Sequence, residues 1–191
     1  IQRVNQESGR QILSVWHKEA MGYKIRYVPS ELPDLLRTEA VRKFEFNLKN
    51  PDERESREQQ AKDQLTYSRL PETDMEVCMP RQTLELFAKG EGVWRTLPEQ
   101  VRAEQIIHMA RLLDDLYPTF RLFLFDGRKR YSAPYTIFGL YRAALYMGGM
   151  YLVMSATGSV QRLTRHFDGL IRDAEVNAHE AADFVKSLRL G

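Results

Sequence analysis

The chain has 191 residues, of which 43% are hydrophobic and 28% are charged, and 28 Lys and Arg stand against 26 Asp and Glu. This composition is typical of a globular domain and excludes a disordered chain, a collagen-like chain and a coiled-coil rod. A formal net charge of +2 also argues against a chain devoted to nucleic acid, which needs many cations to neutralise phosphates.

The N-terminal part, residues 1–70, is predicted to be a largely helical segment that packs on the rest of the domain. Apolar residues at helical spacing indicate a first helix over residues 2–20, and a weak alternation indicates a strand over residues 23–28. A capping-box signal predicts a polar helix over residues 51–67, whose charged face we interpret as solvated.

The middle of the chain, residues 71–156, is predicted to be a β-rich core. A strand is predicted over Met75–Met79, and a long helix begins at the capping box of Thr96 and ends at Pro118. The apolar run Phe120–Phe125 is typical of an interior strand. Shorter strands are predicted at 135–138, 143–146 and 151–154.

Two helices with apolar stripes are predicted to close the chain over residues 157–190. Together the elements predict one α+β domain spanning residues 1–191. Its centre is expected to be a small, mostly antiparallel sheet of four to five strands packed against several helices.

The apolar runs and the single cysteine predict the cellular location of the protein and the state of its thiol. No apolar run approaches the roughly 18 residues that cross a bilayer, and no signal peptide is evident, so we expect a cytoplasmic protein with no membrane partner. Cys78 is expected to be a small buried hydrophobe.

Because the sequence opens at Ile1 rather than Met, we expect further residues upstream. The basic run Arg128–Arg130 is predicted to project from a turn.

Residue types that perform chemistry are scattered along the chain. The four histidines have no zinc-motif spacing, and there is no nucleophile elbow, phosphate loop or dinucleotide fingerprint. The chain is therefore predicted not to be an enzyme, with no catalytic residues, no metal and no cofactor. One alternative stays open, a small hydrolase or nuclease whose site forms only in the fold, with candidate residues His166, Asp168, Asp126 and Arg142.

The order of the elements and one short string resemble a known family. Residues Pro33–Thr38 form a Pro-x-Leu-Leu-x-Thr segment, followed by the polar helix, the strand and helix Met75–Phe87, and the strand Phe120–Phe125. Over about residues 23–188 the chain resembles the uncharacterised C-terminal domain that follows a helix-turn-helix head of the xenobiotic-response-element type in many bacterial transcription regulators.

The resemblance implies a regulatory domain that senses a small-molecule effector or a partner and forms a homodimer. DNA would then be contacted only by an upstream domain outside this chain. Aromatic walls with one fixed cation suit a small anionic or aromatic ligand. The predicted ligand-binding residues are Trp94, Tyr131, Tyr135 and Arg142. A third hypothesis is a non-catalytic adaptor that docks partners on the polar helix over residues 51–67.

Overall fold

The computed structural model describes residues 2–20, 22–49, 69–70, 72–148 and 150–191, and one β-sheet runs through them. Its eight strands are β1 (Gln2–Asn5), β2 (Lys24–Val28), β3 (Asp74–Pro80), β4 (Phe120–Phe125), β5 (Tyr135–Phe138), β6 (Arg142–Tyr146), β7 (Met150–Met154) and β8 (Ala174–Val176). The helices in the described ranges are α1 (Gln6–Glu19), α2 (Glu39–Lys49), α3 (Arg81–Lys89), α4 (Glu99–Leu116), α5 (Thr157–Arg172) and α6 (Ala181–Lys186).

The sheet is mixed, with the strand order β1–β7–β6–β5–β2–β3–β4–β8. Strands β2, β3 and β4 are parallel neighbours at its centre, and the other pairings are antiparallel. Parallel neighbours need crossover connections, which are almost always right-handed. Because both crossovers step in the same direction across the sheet, α2, α3 and α4 are brought to one face.

The prediction of an α+β fold with a small, mostly antiparallel sheet of four to five strands is wrong. The sheet has eight strands, and its centre is parallel. Two short edge strands are not predicted, because the sequence pattern extends the first helix over Gln2–Asn5 and a closing helix over Ala174. Strand direction also depends on pairing between distant residues, which local periodicity does not contain.

Alternation along the strands divides the core into two layers. Met75, Val77 and Met79 of β3 lie in the layer built with α2, α3, α4 and α6, which we call the helix-rich face. Cys78 lies in the opposite layer, built with α5, which we call the α5 face. Burial on both faces explains why the central strands carry nearly continuous apolar runs.

The segment that carries the family resemblance, Pro33–Thr38, is held on the helix-rich face by one buried amide. Gln105 of α4 donates from Nε2 to the carbonyl oxygen of Leu36 at 2.7 Å. Its Oε1 accepts the backbone N–H of Thr38 at 2.6 Å. A buried amide with both groups bonded fixes the geometry of the backbone that it bridges.

Helix α4 is the longest helix in the described ranges, with 18 residues. Ile106, Met109, Leu113 and Leu116 are buried along its inner side, and charged residues occupy its outer side. Among the described residues, no helix combines the length and the apolar character that a membrane-spanning helix requires.

Candidate functional site

The structure places the four predicted ligand-binding residues in separate surroundings. Trp94 is buried in the helix-rich layer with its ring 5.0 Å from that of Phe87, whereas Tyr135 is buried in the α5 layer. Tyr131 is 85% exposed on the connection before β5. Arg142 lies against α1. The fold does not assemble these residues into one pocket wall, and ligand binding by them stays a prediction.

Tyr135 has a polar partner on α5. Its hydroxyl oxygen lies 2.9 Å from Nδ1 of His166. Burial, reinforced by the neighbouring Cys78 thiol, raises the pKa of the Tyr135 hydroxyl well above its ordinary value. The hydroxyl therefore keeps its proton and can donate it to Nδ1 of His166, which fastens α5 to the sheet.

Of the residues of the catalytic alternative, His166 and Asp168 lie on the α5 face near Tyr135, whereas Arg142 lies on the opposite side of the sheet. His166 faces Tyr135, and Oδ1 of Asp168 lies 3.9 Å from Nε of Arg26. Arg142 belongs to the opposite side of the sheet, where its guanidinium carbon lies 5.1 Å from the centre of the Trp16 indole.

Asp126, the fourth residue of that alternative, lies directly after β4 and is almost fully buried. Its carboxylate accepts hydrogen bonds from the guanidinium and backbone N–H of Arg128 and from Nε2 of Gln82. These bonds hold the pKa of the Asp126 carboxyl well below its usual range. The predicted basic turn is confirmed, and its ion pairs are Arg128 with Asp126, Lys129 with Glu175 and Arg130 with Asp173.

Cys78 is confirmed as a buried free thiol. Burial raises the pKa of this thiol far above its ordinary value, so it stays protonated and is a poor nucleophile. Within the described part of the chain, His, Cys, Asp and Glu side chains form no group of three or more that could hold a metal ion.

The α5 face carries a charged ladder that sequence reasoning missed. Oε1 of the largely buried Glu76 lies 2.9 Å from Nζ of Lys24 and 2.9 Å from Nη2 of Arg121. Arg26, Glu76 and Arg121 stand side by side on adjacent strands, so their charges alternate across the sheet. Only part of the signal is in the sequence: charged residues recur at every second position at the starts of β2 and β3, but their partners across the sheet depend on strand pairing.

A group of exposed apolar side chains lies around the turn between β5 and β6. The exposed fractions are 49% for Tyr23, 62% for Leu140 and 61% for Tyr141. The rings of Tyr23 and Tyr141 meet edge to face with their centres 5.6 Å apart. With the neighbouring Glu19 and Arg142, these residues are called the corner surface below.

One ion pair and one glycine give the corner surface its shape. Nη1 of Arg142 lies 2.6 Å from Oε2 of Glu19, so a cation and an anion stand beside the apolar side chains. Gly139 has φ +58°, and a Cβ at this position would lie 3.3 Å from Cβ of Tyr23. The turn therefore favours glycine both for its backbone angle and for the close approach of Tyr23.

Replacing Gly139 by alanine is expected to lower the free energy of unfolding by about 2 kcal/mol, because the positive φ and the crowding against Tyr23 both oppose a Cβ. Gly148→Ala is the matched control, since Gly148 has φ +63° and no described atom lies within 4 Å of its added Cβ. The control should cost about 1 kcal/mol in urea unfolding. Equal losses would show that Tyr23 does not crowd the turn.

The chain is similar to known proteins only among solved structures. No family model matches the chain, and none of the curated proteins matches it. Among solved structures the chain is similar to TrmBL2, an archaeal chromatin protein whose structure is described as showing a novel mode of DNA binding. The TM-score is 0.44 at 12% identity, over 90% of this chain and 52% of that one. The chain thus spans about half the length of TrmBL2.

Proposed function

We propose that this chain is the regulatory domain of a bacterial transcription regulator and that two copies associate through the corner surface. The resemblance carried by Pro33–Thr38 supports the regulatory role. The single observation that carries self-association is the cluster of exposed apolar side chains at the corner surface.

The corner surface has the composition of an interface centre. Single exposed hydrophobic residues are normal, but contiguous ones mark sites of association. Tyr23 and Tyr141 are of a type enriched among residues that dominate binding energy, because a tyrosine buries a large ring while its hydroxyl stays hydrogen-bonded. Covering these side chains would remove apolar area that folding leaves in water.

The charges beside this surface favour a second copy as the partner. A two-fold interface brings the same surface of both copies together, so it must be complementary to itself. Glu19 and Arg142 carry opposite charges, and a two-fold axis through the corner surface can set Arg142 of one copy beside Glu19 of the other. The corner surface has five residues, whereas a standard interface has roughly 20–30 residues on each side, so the corner surface supplies only the centre.

The double variant Leu140→Ser/Tyr141→Ser tests this proposal by sedimentation equilibrium of the whole chain. Losing two central apolar side chains should weaken the dimer at least about thirtyfold, the equivalent of a 2 kcal/mol hot spot. Tyr131→Ser/Ile107→Ser is the control, because it removes exposed apolar residues elsewhere. A wild-type monomer, or equal losses in both double variants, would refute the proposal.

A charge exchange tests whether the ion pair crosses the interface. Glu19→Arg and Arg142→Glu each place like charges opposite each other in a homodimer, so each variant alone should dissociate. Mixing the two variants should restore a dimer that contains one copy of each. If the mixture stays as dissociated as the separate variants, Glu19 and Arg142 do not meet across a two-fold axis.

A further inference from the structure

The outer side of α5 carries arginines that are not neutralised. Arg162, Arg165 and Arg172 are exposed, and no ion pair joins any of them to a carboxylate in the ranges that the structure describes. Asp168 is the one acidic residue of α5; its side chain is 52% exposed, and its Oδ1 lies 3.9 Å from Nε of Arg26 on the sheet. We call these three arginines the basic stripe.

The basic stripe runs along one side of α5. At 3.6 residues per turn the three arginines fall within an arc of about 80°, and they span about 15 Å along the helix axis. Gly169 lies inside the same arc, between Arg165 and Arg172, and contributes no side chain. Nη2 of Arg172 lies 4.0 Å from the place that a Cβ of Gly169 would take, so the guanidinium of Arg172 reaches back over this part of the stripe.

This positive charge is local, so the net charge of the whole chain does not reveal it. The net charge is only +2, and the basic turn after β4 is neutralised by Asp126, Asp173 and Glu175. The basic stripe therefore projects a field that composition alone does not reveal.

We propose that the basic stripe binds the phosphate backbone of duplex DNA, a contact made by this domain itself and independent of the proposed self-association. Guanidinium groups match phosphate oxygens with paired hydrogen bonds. Duplex DNA carries about one negative charge per 1.7 Å of its axis, so a stripe about 15 Å long can meet several phosphates. Contacts of this kind do not read base sequence.

A lipid surface fits the same helix less well. Helices that lie on membranes insert an apolar face between the lipids. The apolar face of α5, with Val160, Phe167 and Leu170, is already buried against the sheet. The outer side offers charge without an apolar surface to insert, which favours a partner bound by its phosphates alone.

A substitution at Gly169 tests the proposal without removing any contact. Gly169→Glu places a carboxylate four residues after Arg165 and three before Arg172, where it can pair with both. Gly169→Gln is the matched control, and both changes favour the helix over glycine. In fluorescence anisotropy with a labelled DNA duplex of arbitrary sequence at low salt, the Glu variant should bind at least about tenfold more weakly and the Gln variant like the wild type.

The salt dependence supplies the second measurement. Three phosphate contacts predict a slope of about −2.7 for log K against log salt. The slope should fall towards zero in Arg162→Gln/Arg165→Gln/Arg172→Gln and persist in Arg95→Gln/Arg111→Gln/Arg189→Gln, which removes as much charge from other exposed positions.

Equal binding by the two Gly169 variants, or an equal loss in both triple variants, would overturn the proposal. So would tighter binding to vesicles containing phosphatidylserine than to the duplex. The Leu140→Ser/Tyr141→Ser variant, which we expect to be monomeric, should still bind the DNA duplex with a salt-dependent affinity. Failure of DNA binding is therefore distinguishable from failure of the proposed dimer.

Discussion

Phe167→Ala is expected to lower the free energy of unfolding by about 3–5 kcal/mol, because it opens a cavity between α5 and the sheet. Phe167 is fully buried, and its ring centre lies 6.5 Å from that of Tyr135. Val160 and Leu170, the other fully buried apolar residues of α5, sit in the same layer. Neighbouring side chains can fill the cavity only in part, because they are held in place by α5 and by the sheet beneath it.

The measurement for Phe167 is urea unfolding followed by far-ultraviolet circular dichroism, with Leu163→Ala as the control. Leu163 also packs against this layer but is only partly buried, so its loss should cost clearly less. A cost below about 1 kcal/mol for Phe167→Ala would mean that α5 is not packed on the sheet through this residue.

Acidification is expected to destabilise the fold through His17. Burial lowers the pKa of His17 from 6.5 to about 4, although the nearby Asp34 carboxylate acts in the opposite direction. The unfolded chain therefore takes up a proton at higher pH than the folded chain. Stability from this residue is complete above pH 6.5 and is lost as the pH falls towards 4, by up to about 3 kcal/mol.

The comparison of wild type with His17→Gln isolates this effect. Urea unfolding at several pH values from 7 to 4 gives the difference in stability between the two proteins, from which carboxylates remote from His17 cancel. The stability of the wild type relative to His17→Gln should fall by about 2–3 kcal/mol as the pH falls from 7 to 4. Parallel stability curves would show that His17 titrates alike in the folded and unfolded chains.

Local patterns predicted most elements of the sheet. The apolar run Phe120–Phe125 coincides with β4, and the predicted strand 135–138 coincides with β5. Both succeed because each strand is short, apolar and bounded by turn residues such as Pro118 and Gly127. The predicted apolar stripe of the first closing helix is also confirmed, since Val160 and Phe167 are buried on α5.

Properties that depend on pairing could not be predicted in the same way. Glu76 meets Lys24 and Arg121 because three strands that are distant in sequence lie in register. Tyr23 and Tyr141 form the corner surface only because β2 pairs with β5, which places the turn after β5 beside the start of β2. A short stretch of sequence does not show which distant strand lies beside it.

The predicted polar helix over residues 51–67 lies outside the described residues. The adaptor hypothesis built on it therefore stays a prediction. Two other features that support the proposals, Pro33–Thr38 and the corner surface, lie within the described ranges.

Cross-linking at Leu140 tests most directly whether two copies meet at the corner surface. Leu140→Cys introduces an exposed thiol into a chain whose one native cysteine, Cys78, is buried and protonated. Treatment with a short bifunctional maleimide should yield a covalent dimer on a denaturing gel, whereas Tyr131→Cys, with its thiol near the opposite end of β5, should stay monomeric. Failure of Leu140→Cys to cross-link, or equal cross-linking at both positions, would contradict the proposed interface.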